Sequence, residues 1–344
     1  MCMKILKKSF RFLLAGCTAI LFLTLFCAVY YRWPVHLPNP NQNTDYIWQP
    51  GFHWMLMSEG ISWGKIDDAG FNNLQVMDDP NVLILGSSHM EAKNVRQDQN
   101  TAYLLQQKLG PDYRVYNMGI SGHFFSKICQ YLPQNLQLYD TPPRYVILET
   151  TDLELTQADV DQILNHTVEF TPSYTEGLIA ALQKNYFFRQ AVYCIQHGWL
   201  DQLMPPKSDP SAVPAAAHLS DPSESSSAPY DRLFSYMDDL QKQYDTRLII
   251  VYHPYSSNQQ DGTVVMDPSS FTQVFSDSCQ KHHIQFVDMT DAFSVMANQE
   301  HKLAHGFITG TPGQGHLNKY GHSAIAEALS KTILELEEEN TLCK

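Results

Sequence analysis

Val82-Leu83-Ile84-Leu85-Gly86-Ser87-Ser88-His89 is the stretch that decides how this chain folds. Four consecutive apolar residues closed by a glycine-containing turn read as a buried strand. The pattern recurs at Tyr113–Tyr116, Tyr145–Leu148, Leu248–Tyr252 and Ile284–Val287. Helical stretches near Thr101–Leu109, Gly122–Leu138, Tyr174–His197, Ser270–His282 and Gly321–Glu337 alternate with these runs. Strands spaced by helices predict crossover units, and hence an α/β chain with a mainly parallel sheet of about five strands covered on both faces.

In such a sheet, functional groups gather beyond the carboxyl ends of the strands. The first strand leads into Gly86-Ser87-Ser88-His89, the second into Asn117-Met118-Gly119-Ile120-Ser121-Gly122, and the third into Glu149-Thr150-Thr151-Asp152. The fourth is followed by His253-Pro254, and the region after the fifth reaches Gly315-His316-Leu317-Asn318-Lys319-Tyr320-Gly321-His322. A serine on a tight turn entering a helix presents its hydroxyl next to unpaired N–H groups, which can stabilise an oxyanion. The hydroxyl needs a base to become a nucleophile, and His316, at the entry to the last helix, is the best placed. Taken singly, Ser88 reads as a helix cap and His316 as a packing residue. Their ordered occurrence at strand ends favours catalysis.

These blocks resemble those of the SGNH/GDSL hydrolase superfamily. Gly86-Ser87-Ser88-His89 is similar to its first block in a GSSH form, with serine where aspartate is usual. Asn117-Met118-Gly119 with Gly122 resembles the second, and Gly315-His316-Leu317-Asn318 with Gly321-His322 the last. The resemblance covers roughly Pro80 to Glu337, and Asp68-Ala69-Gly70-Phe71-Asn72-Asn73 adds a likeness to membrane-anchored bacterial relatives that handle envelope polysaccharides. It implies a flavodoxin-like three-layer αβα sandwich with Ser88 as nucleophile and His316 as base. It also implies an oxyanion hole from Ser88, Gly119 and, in place of the family's asparagine, Thr151. Ser87, His89 and Asn318 are expected to support the site. The family's aspartate, three residues before the histidine, falls at Gly313, so the expectation is a Ser-His dyad or an incomplete triad, with Asp288 or Asp291 as substitute acids.

Other candidates have plainer readings. His301 and His305 have the i, i+4 spacing of a metal pair without a third ligand, and a solvated helix face accounts for them better. His253 is a candidate border residue. Glu149 and Asp152 form a candidate carboxylate pair for glycoside hydrolysis, a common coincidence near a strand end. None of the seven cysteines stands in a zinc or redox motif, and no cofactor or metal is expected.

At the N-terminus, Lys4, Lys7, Lys8 and Arg11 precede an uncharged run from Phe12 to Tyr31, long enough to cross a bilayer. The charge asymmetry predicts a basic cytoplasmic segment (1–11), a transmembrane helix (12–31) and an extracytoplasmic body in a cell membrane. Leu14-Ala15-Gly16-Cys17 matches a lipoprotein box, but the apolar run continues past Cys17, so the match reads as chance. Residues 32–79 read as an irregular membrane-proximal segment and 80–340 as one domain. The Pro-, Ser- and Ala-rich stretch 205–229 reads as a flexible insertion. The net charge of -13 excludes nucleic acid as a partner.

The leading functional expectation is a serine esterase or O-acyltransferase for an acylated cell-envelope glycan or surface polymer, with a membrane acyl-transfer protein as a conceivable partner. A non-catalytic glycan- or partner-binding protein is the second reading, motivated by the missing Asp and Asn. A membrane-surface lipid esterase is the third, with Trp48–Met57 as its apolar rim.

Overall fold

The computed structural model describes residues 2–57, 59–166, 182, 184–196, 227–259, 261–307 and 312–342. The chain opens with helix α1 (Cys2–Tyr30), followed by short strands β1 (His36–Leu37), β2 (Ile47–Trp48), β3 (His53–Leu56) and β4 (Ser62–Lys65). Next come β5 (Val82–Leu85), α2 (Ser88–Glu91), α3 (Thr101–Leu109), β6 (Val115–Asn117), α4 (Phe125–Gln137), β7 (Tyr145–Thr150), α5 (Gln157–Leu164) and α6 (Tyr186–Gln196). The remainder is α7 (Ala228–Tyr244), β8 (Arg247–Tyr252), β9 (Tyr255–Asn258), β10 (Val264–Asp267), α8 (Thr272–Lys281), β11 (Gln285–Asp288), α9 (Thr290–Glu300) and α10 (Lys319–Leu342).

Five strands form one sheet in the order β11-β8-β7-β5-β6, every pair parallel. Counted along the chain this is the order 2-1-3-4-5, the flavodoxin-like winding that the resemblance implies. The runs are apolar throughout because both faces are covered. Leu83, Leu85, Val146, Leu148, Leu248 and Ile250 share one core with Ile128 and Leu132 of α4, Phe234 of α7 and Phe275 of α8. The alternate residues Val82, Ile84, Tyr145, Ile147, Ile249 and Val251 share the other with Leu105 of α3, Phe293 of α9 and Leu329 of α10. The two-residue period of a strand thus divides one continuous run between two helical layers.

Residues 32–79 differ from the irregular segment expected. They contain two antiparallel pairs, β1–β2 and β3–β4, and Arg32 pairs with Met55 through N–H···O bonds of 2.9 and 3.0 Å. Trp48, Trp54, Ile66 and Phe71 are buried in the first core, so Trp48 and Trp54 form no apolar rim for lipid. Burial of large aromatics, at about 25 cal/mol per Å² of apolar area, fastens a segment that has little secondary structure of its own. Lys93, itself buried, lies 3.1 Å from Glu91 and 3.0 Å from the centre of the Trp48 ring, and Glu91 also accepts from the Trp48 indole.

Asp67 holds the turn before β5: its Oδ1 accepts Ala69 and Phe71 N–H at 3.0 and 2.9 Å, and its Oδ2 accepts from Asn73 and Tyr116 at 3.0 and 2.8 Å. α5, α7 and α9 were not anticipated. The insertion at 205–229 lies outside the described residues except for its last three, of which Ala228 and Pro229 open α7; of the helix expected over Tyr174–His197, α6 covers Tyr186–Gln196, and residues 174–181, 183 and 197 lie outside the described residues. Cys129 and Cys279 are buried free thiols, and the window Lys7–Tyr30 of α1 has the length and mean hydropathy, 2.5, of a membrane span.

Candidate active site

The first crossover leaves β5 toward β6 and the second arrives at β7 on the other side, so the loops after β5 and β7 diverge and open a crevice between them. Ser87 caps α2, its Oγ accepting His89 N–H at 3.2 Å. Glu149, at the end of β7, reaches across the switch point, and its Oε2 accepts the Ser87 N–H at 2.7 Å and hydroxyl at 2.8 Å. A Cβ on Gly86 would lie 2.5 Å from Met90 Cγ and 2.9 Å from Glu149 Oε2, so the turn has no room for a side chain there.

With Ser87 doing the capping, the Ser88 hydroxyl is left to face His316 Nε2 at 2.9 Å. His316 Nδ1 lies 2.6 Å from Glu59 Oε2. A ring N–H directed at the carboxylate leaves Nε2 as the acceptor for the Ser88 O–H, which is the protonation pattern of a base poised to take a proton. The sequence reading missed Glu59. It sits between β3 and β4, half-buried, and its Oε2 also accepts from Asn94 at 2.6 Å. Gly313, where the family places its acid, has φ +81° and would put a Cβ 2.5 Å from Ser256 Oγ, so this position excludes any side chain. Asp288 and Asp291 are exposed, and Asp288 accepts the Thr290 N–H at 2.8 Å at the start of α9. The structure therefore replaces both substitute acids with Glu59.

The loop carrying His316 is fixed from two sides. Asn318 donates to the carbonyls of Leu303 and Gly306 at 2.8 and 3.1 Å and caps α10 by accepting Tyr320 N–H at 2.9 Å. Leu317 N–H donates to His89 Nδ1 at 3.2 Å. This makes Nδ1 the acceptor and leaves the proton on Nε2, 3.2 Å from the Tyr255 hydroxyl. His89 thus ties the His316 loop to the Ser88 helix. Burial, reinforced by His253, holds its pKa well below the ordinary range, so it is neutral.

Beneath the turn lies a buried chain of polar groups. Glu149 Oε1 is 2.8 Å from His253 Nε2, and His253 Nδ1 is 3.1 Å from His305 Nε2. A carboxylate only accepts, so His253 donates to it through Nε2 and accepts from His305 through Nδ1. Burial by itself would raise the Glu149 pKa, but the hydrogen bond from His253, with that from the Ser87 N–H, outweighs it and holds the carboxyl at about 2. His305 is pushed well below its ordinary value by burial and by His253.

Glu149 is therefore committed to structure and forms no open carboxylate pair with Asp152. His305 is buried and bridged to Leu317, while His301 ends α9 with φ +56°, so the two do not share a helix face. His89, His253 and His305 offer ring nitrogens within 4.8 Å of one another. The protonated Nε2 of His89 makes this set a poor metal cradle, since a ligand nitrogen must offer a lone pair.

The oxyanion donors are only partly as expected. Ser88 opens α2, where the first N–H groups lack helical partners. Gly119 N–H, by contrast, donates to Asn117 Oδ1 at 2.9 Å, which engages it within its own turn. Its glycine has a packing cause, since a Cβ would lie 2.5 Å from Glu91 N. Thr151 is half-buried and, with Ser87, Phe124 and Asp152, lines a cleft of about 390 Å³ beside the turn. His253 was legible as a residue at a strand end. Glu59 carried no signal, because a single glutamate in a glycine-containing connection is common and its partner is distant in sequence.

No family model matches the chain, and no curated protein does. Several solved structures are similar to it. TesA is 15% identical with a TM-score of 0.38, over 73% of this chain and 97% of that one. The acetyl xylan esterase AlAXEase is 14% identical with a TM-score of 0.38, over 73% and 99%. LAE5, an alpha/beta hydrolase enzyme from the metagenome of Lake Arreo, Spain, is 13% identical with a TM-score of 0.38, over 74% and 94%. The chemistry of the site rests on its own geometry, a serine hydroxyl, an imidazole and a carboxylate in line at the switch point of a sheet wound as the SGNH/GDSL resemblance implies.

Proposed function

We propose that the chain is a membrane-anchored serine esterase or O-acyltransferase acting on acyl esters of a cell-envelope glycan or similar surface polymer, with its domain on the extracytoplasmic side. The observation that carries this reading is the line Ser88 Oγ, His316 Nε2 and Nδ1, Glu59 Oε2, at 2.9 and 2.6 Å. Ser88 Oγ attacks the acyl carbonyl carbon while His316 takes its proton, and the Ser88 N–H steadies the developing oxyanion. The carbonyl re-forms, the bond to the leaving alcohol breaks, and His316 returns the proton to that alcohol. Water or a sugar hydroxyl then attacks the acyl-serine, again giving its proton to His316, and Ser88 is released. Glu59 stabilises the imidazolium formed in each half. A carboxylate on His316 Nδ1 removes one of the two motives for a binding-only reading, the absent acid; the other, the missing asparagine, stands.

The site's position supports a substrate near the membrane. Met55 is paired with Arg32, just beyond the end of α1, and Glu59 follows four positions later, at most about 14 Å of extended chain. A fluorophosphonate probe tests the proposal. The full chain is expected to label on Ser88, with loss of labelling in Ser88→Ala and a decrease of at least about 100-fold in rate in His316→Ala. Undiminished labelling of Ser88→Ala would discard it.

A further inference from the structure

We infer that the cleft beside the Ser87-Ser88 turn takes an uncharged sugar unit, so that the substrate is a glycan without anionic groups. The inference rests on the proposed glycan reading of this site and narrows it to one class of polymer. Three elements line the cleft of about 390 Å³: the Ser87 turn with the end of β7, the start of α4, and the connection into α5.

The start of α4 supplies an aromatic face and hydrogen-bond donors. Phe124 is 74% exposed, more than any other large apolar residue outside α1 among the described residues. Its ring offers a flat face to the C–H side of a sugar. No side chain caps α4, and the N–H groups of Phe125 and Ser126 have no acceptor among the described residues. Both residues line the cleft.

The connection into α5 supplies acceptors. Asp152 Oδ1 accepts the Glu154 N–H at 3.0 Å, and Asp159 Oδ2 accepts the Thr156 N–H at 2.9 Å in the box that caps α5. Each of Asp152, Glu154 and Asp159 keeps at least one oxygen without a hydrogen-bond partner among the described residues. A hydroxyl both donates and accepts, so free N–H groups, free carboxylate oxygens and an aromatic face together suit a sugar ring.

The sign of the charge selects among sugars. An uncapped helix start taken alone favours an anion, but it carries only about half a unit charge, against three carboxylates here. No lysine or arginine among the described residues lines the cleft, and its histidine, His123, is buried with Nε2 3.6 Å from Asp45. A uronate or phosphate group seated there would meet like charges with no cation to offset them, on a chain of net charge -13.

The test uses the full chain in neutral detergent micelles and two probes sharing a β-1,4-glucosyl backbone: cellotetraose, and the tetraglucuronate that carries a carboxylate at each C6. Calorimetric titration at low salt is expected to give a Kd for cellotetraose about ten-fold or more below that for tetraglucuronate. The gap should narrow in about 0.5 M sodium chloride. Phe124→Ala should weaken cellotetraose binding about five-fold, and Asp152→Asn with Glu154→Gln should tighten tetraglucuronate binding by about as much. Equal binding of the two probes by the wild-type chain, tighter binding of tetraglucuronate, or binding of neither would overturn the assignment. Fluorophosphonate labelling of Ser88 in the same preparation reads the ester chemistry separately. Labelling without sugar selectivity removes the uncharged-glycan class and leaves the serine, whereas selectivity without labelling keeps the cleft's preference and removes the serine mechanism.

Discussion

Two loops meet at the active site, and they are held in opposite ways. The Ser87-Ser88 turn sits on a buried frame: Glu149, His253 and His305 are each no more than 2% exposed, and the frame joins the ends of β7 and β8 to the segment after α9. The acid's loop, between β3 and β4, leaves Glu59 33% exposed and His316 32% exposed, with Asn94 as its further support. A hydroxyl that must be pre-positioned is built into the core, where groups are costly to displace. A carboxylate that only orients and steadies an imidazole can be supplied from the periphery. Stability and activity should therefore separate between the two loops.

The largest effect is expected from Glu59→Gln. Kinetics with a short acyl ester should show kcat falling by about 10²–10⁴-fold, while the urea midpoint shifts by no more than about 0.5 kcal/mol in stability. Wild-type activity in this variant would return the site to a dyad. Glu149→Ala is expected to do the reverse and lower stability first, by about 3–5 kcal/mol, because it strips the partner from a buried hydrogen-bonded chain. Denaturant titration measures this, and an unchanged midpoint would mean that the frame under Ser87 bears no weight.

Acid should destabilise the fold through its buried groups. Burial, with the fields of His253 and His316, holds the His322 pKa at about 3 against an ordinary 6.5. Between those values the unfolded chain carries a proton that the folded chain lacks, so stability falls as pH drops from about 6.5 toward 3. Thermal unfolding across pH 6 to 4 should be shallower in His322→Gln by up to about 1.4 kcal/mol per pH unit. Glu149 adds a lower window with its folded pKa depressed to about 2: its stabilisation is complete above its unfolded value of 4.5 and disappears as pH falls toward 2. The smallest effect is expected from Asn94→Ala, which removes one hydrogen bond from Glu59 at a cost of about 1 kcal/mol. A fall of several-fold in kcat with no change in KM would be the mark of looser orientation, whereas a rise in KM alone would point instead to substrate contact.

The comparison also marks where sequence reading succeeds. The runs at Val82, Tyr145 and Leu248 were readable because strands buried on both faces must be apolar without interruption, and Ser88 and His316 because each follows an element boundary. α7 escaped because the insertion before it has no periodicity. The hairpins of residues 32–79 escaped because strands of two to four residues are too short for a period to show.

The sequence alone was enough for the parallel α/β architecture, the apolar N-terminal helix and the pairing of Ser88 with His316. Each depends on local periodicity or on position relative to a strand end. Only the tertiary structure decided that Glu59 lies against His316 Nδ1, that Gly119 spends its N–H on Asn117, and that Glu149, His253 and His305 form one buried chain. Those are contacts between groups far apart along the polymer, created when packed layers converge, and nothing in the local chemistry of either partner announces them.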